Sequence, residues 1–111
     1  MTILLVEPGK PPRKTEIPND LKSMQDVVGG LIQAVYPFQA PVALICNEEG
    51  KLLGLPWNRP LFHPETGDLC DIIFGPFFLC SAPPDAEDFE SLTDEQLNRY
   101  SLYFGGGVLN E

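Results

Sequence analysis

Basic charge is nearly missing from half of this chain. Residues 61–111 hold one base, Arg99, against ten acids, while residues 1–60 hold six of each, so the whole net charge of −9 sits in the second half. Duplex nucleic acid is bound by clustered cations that displace counterions; no such cluster exists, and a DNA- or RNA-binding role is not expected. No apolar run approaches the roughly 18 residues of a membrane-spanning helix. The first residues, Met1-Thr2-Ile3-Leu4-Leu5-Val6-Glu7, lack the basic flank and small-residue cleavage site of a secretion signal. The expectation is a soluble cytoplasmic protein without membrane contact.

Histidine and cysteine are equally sparse. His63 stands alone, next to Pro64, whereas a metal site needs three or four convergent ligands. Cys46, Cys70 and Cys80 are odd in number and spaced 24 and 10 apart, which fits neither a disulfide framework nor a zinc site. Cys46 and Cys80 end apolar runs and read as small buried hydrophobes in a reducing compartment. No nucleophile elbow, HExxH, P-loop or GxGxxG occurs. Gly105-Gly106-Gly107 follows a helical pattern instead of opening one, so it cannot aim N–H groups at a phosphate. The acids between Asp85 and Glu95 lie in a solvated stretch, where general acid–base work is not expected. A non-enzyme is expected, with no metal and no cofactor.

What is present suffices for one core: 111 residues, 43% hydrophobic, read as one domain. Residues 2–7 form a β-rich run stopped by Pro8-Gly9, and residues 13–17 a second, edge-type strand. Asn19 or Asp20 caps a helix carrying Leu21, Met24, Val27 and Val28 at helical spacing, closed by Gly29-Gly30. Residues 31–38 and 42–47 read as an antiparallel hairpin at the centre of the sheet. Residues 52–55 suggest a short strand. Residues 56–62 hold two prolines and are expected to lack regular structure beyond a turn, with a loop at 63–68. Residues 71–81 are the most apolar stretch, bent at Gly75-Pro76, with the better strand at 77–81. Residues 82–90 read as an acidic, proline-containing linker. Thr93 and Gln96 form a capping box, with Leu92 and Leu97 as its hydrophobic staple; the helix closes near Gly105. The ordered core is expected over 2–104, with a loose Gly-rich tail at 105–111. The sum is an α+β fold, a mainly antiparallel sheet of about five strands with two helices.

One segment carries unusual chemistry. Trp57-Asn58-Arg59 sets an aromatic ring, an amide and a guanidinium in consecutive positions, the groups that stack on a base and bond a purine edge or a phosphate. The same residues also suit a structural loop, with Trp57 anchoring the core and Arg59 paired with an acid. On the ligand reading, Trp57 or Tyr36 stacks, Arg59 meets phosphate and Asn58 reads an edge. Gly30 permits close backbone approach, and Gln33 lies beside them on the hairpin. The six acids from Asp85 to Glu95 suggest a second kind of surface, a face presented to a protein. The run from Ile72 to Leu79 needs cover on both strand faces, which suggests a homodimer or higher assembly.

Val6-Glu7-Pro8-Gly9-Lys10, Val28-Gly29-Gly30, Ala34-Val35-Tyr36-Pro37, the run from Ala43 through Asn47-Glu48-Glu49-Gly50-Lys51, and Gly54-Leu55-Pro56 with Asn58-Arg59 together resemble an uncharacterised small-protein family of phages, plasmids and conjugative elements of Firmicutes. The resemblance spans roughly residues 2–104. It implies a mobile-element accessory protein, a class rich in factors that counter host defence. Two readings follow: sequestration of a small nucleotide-type signalling ligand, or inhibition of a host defence protein through the acidic half or a sheet edge.

Overall fold

The computed structural model describes residues 1–105; the expected tail beyond Gly105 lies outside the described residues. Seven strands and two helices follow in the order β1 (Thr2–Val6), β2 (Arg13–Glu16), α1 (Leu21–Val28), β3 (Ile32–Val35), β4 (Val42–Asn47), β5 (Trp57–Phe62), β6 (Leu69–Phe74), β7 (Phe77–Ser81) and α2 (Asp94–Gly105). Five strands form one antiparallel sheet in the order β2-β1-β7-β4-β3, and β5 and β6 form a separate antiparallel pair. The fold is α+β, as expected.

The helices begin and end where the sequence places them. The Asp20 carboxylate accepts from the Ser23 N–H at 2.7 Å, and Gly29 closes α1 at φ 79°. That N–H, together with the Ser23 side chain, holds the Asp20 carboxyl below its usual range. At α2, the Thr93 N–H donates to Gln96 Oε1 (2.9 Å) and the Gln96 N–H to Thr93 Oγ1 (3.1 Å), and Leu92 and Leu97 are buried.

The core has two sides, separated by the sheet. Leu4, Val6, Leu44, Phe77 and Leu79 face α2 and the β5–β6 pair, together with Leu61, Ile73, Tyr100 and Phe104. Ile3, Leu5, Ile45, Phe78 and Cys80 face α1 through Met24 and Val28. β7 is therefore buried at every position, because alternate residues serve opposite cores. Both faces of this strand are covered within one chain, which removes the reason for expecting self-association there.

Several expectations change. The 31–47 hairpin is not the centre of the sheet: β7 is, and β3 is an edge. Four of the five side chains of β7 are apolar or thiol and the strand is covered on both faces, whereas β3 leaves Gln33 and Ala34 exposed. Residues 52–55 form no strand: 51–54 make turns, with Leu52 and Leu53 exposed. Residues 57–62 are a strand despite Pro60. β5 has a neighbour on one side only, so a proline is tolerated there. Gly75, at φ 83°, makes the expected bend, and it parts β6 from β7 into different sheets. The 82–90 segment leads back to the sheet: Ser81 and Glu90 exchange backbone hydrogen bonds of 2.9 Å, and Phe89 packs against the α1-side core.

Candidate functional site

The residues expected to read a ligand do not share one surface. β5 pairs Trp57 with Phe74 and Arg59 with Ile73, so Asn58 is the extra residue of a bulge. A bulge re-aims side chains, and here it turns both Asn58 and Arg59 inward, to 0% and 3% exposure. Asn58 Nδ2 donates to Val6 O and Gly75 O, each at 2.9 Å, tying the hairpin to β1 and to the bend. The Arg59 guanidinium donates to Phe104 O (3.0 Å), Lys10 O (2.8 Å), Asn58 O (3.2 Å) and Asn58 Oδ1 (2.9 Å). This set joins α2, the loop after β1 and the hairpin. Asn58 and Arg59 are thus interior fasteners in this structure, while Trp57 stays half-exposed.

Gly30 makes its close approach to the chain itself. A Cβ there would meet Asn47 Nδ2 at 2.9 Å. Asn47 Nδ2 donates to Val28 O (3.1 Å), and its Oδ1 accepts from the Glu49 N–H (2.8 Å). The pair clips the end of α1 to the turn after β4. Gln33 and Tyr36 are different: both are exposed, and each lines a cleft along β3.

The first cleft, of about 360 Å³, lies between Gln33 and the turn after β4 on one side and β6 on the other, with Glu48, Glu49, Lys51 and Asp71 at its rim. Lys51 Nζ bonds Asp71 Oδ1 at 2.7 Å. That bond, aided by the Ile72 N–H, holds the Asp71 carboxyl below its ordinary range. The second cleft, of about 390 Å³, is walled by Val35, Tyr36, Phe38, Phe62, His63 and Cys70. Asp71 borders both. The two clefts therefore adjoin, one acidic and one largely aromatic.

The reactive side chains near them have other occupations. His63 Nδ1 accepts from the Glu65 and Thr66 N–H groups at 3.2 and 3.4 Å, building its own turn. Burial pushes the Cys46 thiol up to about 11, with Asp71 adding to it, and the Cys80 thiol up to about 12; neither is a thiolate near neutral pH. Among the described residues no three His, Cys, Asp or Glu side chains gather as a metal site would require.

The two edges of the large sheet differ sharply. The Ile17 N–H bonds Met1 O, so alternation along the β1–β2 ladder leaves the backbone groups of Lys14 and Glu16 facing outward. That edge is charged along its length, Arg13-Lys14-Thr15-Glu16, which discourages strand addition. On the opposite side the Glu48 N–H bonds Leu31 O at 2.9 Å. By the same alternation Ile32 and Ala34 present N–H and C=O outward. The β3 edge, Ile32-Gln33-Ala34-Val35, carries no charge and is flanked by exposed Leu31 and Tyr36. Sequence reasoning missed it by placing β3 inside the sheet. The legible signal was the absence of any charged residue from Leu31 to Ala40, in a chain that guards its other edge with three.

No curated protein and no solved structure matches the chain. The profile of one family does match it, over residues 1–105, and the chain belongs to that family, described as Domain of unknown function (DUF3846).

Proposed function

We propose that this protein is a non-catalytic binding protein that captures a partner protein by adding an extended segment of that partner to the β3 edge. The observation that supports this reading is the contrast between the edges: one guarded by charge, the other uncharged, open among the described residues and bordered by clefts. Main-chain hydrogen bonds supply affinity in such strand addition, and flanking pockets supply selectivity. The alternative, sequestration of a nucleotide by Trp57, Asn58 and Arg59, is less well supported, since Asn58 and Arg59 are turned inward and the polar cleft is rimmed by acids that repel phosphate. Together with the resemblance to mobile-element proteins, the edge supports a role in occupying a host defence protein in the bacterial cytoplasm.

Ala34→Pro tests this. Proline at position 34 removes an outward N–H while leaving the Gln33 and Val35 bonds to β4 in place. Ala34→Lys, which charges the edge, serves as a second variant. Hosts carrying defined defence systems are challenged with phage, and plating efficiency is measured. The wild-type protein raises plating against at least one system by about tenfold or more. Both variants, folded by circular dichroism, return it to the vector level. Full activity in both variants contradicts the edge reading.

A further inference from the structure

The clefts beside β3 differ in chemistry, and their order along the strand says what should lie in them. Gln33 and Val35 pair with Cys46 and Leu44, which belong to the α2-side core, so both residues point to the face that carries the β5–β6 hairpin. Gln33 lines the acidic cleft with Glu48, Glu49 and Asp71, and Val35 lines the aromatic one with Tyr36, Phe62 and His63. Residues two apart on a strand share a face and stand about 7 Å apart. A strand laid on the β3 edge therefore presents two same-face side chains to this side, one to each cleft.

Resting on the edge-pairing reading above, we infer that the occupant is an extended segment of a partner protein with the pattern apolar-x-basic, lying antiparallel to β3. Charge complementarity sets the basic residue. Three carboxylates border the first cleft against one ammonium, Lys51, already bonded to Asp71. The same charge opposes a second copy of this chain as occupant, since each copy carries −9. The orientation follows from the sheet, in which every pair is antiparallel. An antiparallel strand meets Val35 first and Gln33 two residues later. Its apolar or aromatic side chain enters the cleft of Tyr36 and Phe62, and its Lys or Arg reaches Glu48 and Glu49.

The experiment titrates isotope-labelled protein with short Thr/Val peptides, reading amide shifts. One peptide carries Phe-Thr-Arg at its centre, one the reversed order Arg-Thr-Phe, and one Phe-Thr-Glu. The first shifts the amides of Ile32 and Ala34 and binds about threefold to tenfold more tightly than the others, with a preference that fades as salt rises. In the Glu48→Lys, Glu49→Lys double variant, whose altered side chains are both exposed, Phe-Thr-Glu becomes the better ligand. Three peptides that bind equally well, yet all fail against Ala34→Pro, overturn the pattern while the edge reading stands. Binding of Phe-Thr-Arg that survives Ala34→Pro overturns both. No shift with any peptide at millimolar concentration overturns the pattern as well.

Discussion

Replacing Arg59 with alanine lowers stability by about 3–6 kcal/mol, and the loss shows as a fall in thermal midpoint of more than about 15 °C. The guanidinium is 3% exposed and donates to the carbonyls of Phe104, Lys10 and Asn58. Hydrogen bonds from a charged donor are worth about 1.5–3 kcal/mol each, and buried acceptors left without partners add a penalty. Against the 5–15 kcal/mol that holds a typical domain together, this loss is large. Arg59→Lys recovers only part, because one ammonium cannot span three carbonyls held in different directions. Differential scanning calorimetry on the three proteins checks the order wild type, Lys, Ala. A midpoint for Arg59→Ala within a few degrees of wild type contradicts the interior role and returns Arg59 to the ligand-reading candidates.

The Phe77→Ala change costs a comparable amount, about 3–5 kcal/mol, by opening a cavity at the centre of the sheet. The Phe77 ring is fully buried and meets Phe104 edge-on, with centroids 5.3 Å apart. Phe104 in turn stacks within a group formed by Phe38 and Tyr103. Phe104 is also the residue whose carbonyl Arg59 holds. Phe77→Ala and Arg59→Ala therefore both loosen the end of α2, and their combined effect falls short of the sum. Phe78→Ala, on the opposite face against Met24 and Val28, adds to Arg59→Ala nearly in full. Denaturant titration of the single and double variants measures both couplings. Strict additivity for the Phe77 pair shows that the carbonyl clamp and the aromatic packing act independently.

Local signals were legible in the sequence, and long-range ones were not. Asp20, Gly29, Thr93 and Gln96 act within four residues of the turns they cap, so their chemistry can be read from their spacing. The bend at Gly75-Pro76 was legible for the same reason. The order of strands depends on which apolar run needs two covers, and that is decided by distant partners, as when the Thr2 N–H meets Ser91 Oγ, 89 residues away. β5 was hidden by Pro60, whose usual meaning fails on a strand with one open side. The inward turn of Asn58 and Arg59 comes from a bulge against Phe74 and Ile73. The alternation that a sequence pattern assumes is absent there, and nothing within the Trp57-Asn58-Arg59 triplet announces it. Gln33 lies on, and Tyr36 just beyond, a strand whose exposure became apparent only with its edge position.

Site-specific photo-crosslinking in cells that express the protein shows which surface holds a partner. A photo-reactive amino acid replaces Ala34 on the β3 edge, Lys14 on the charged β2 edge, or Asp88 in the acidic segment before α2, and the adducts are mapped by mass spectrometry. One adduct is expected from position 34, joined to an extended segment of a single partner protein and lost when Leu31 and Tyr36 are both changed to Lys. Adducts from position 14 or 88, with none from position 34, would contradict the edge reading.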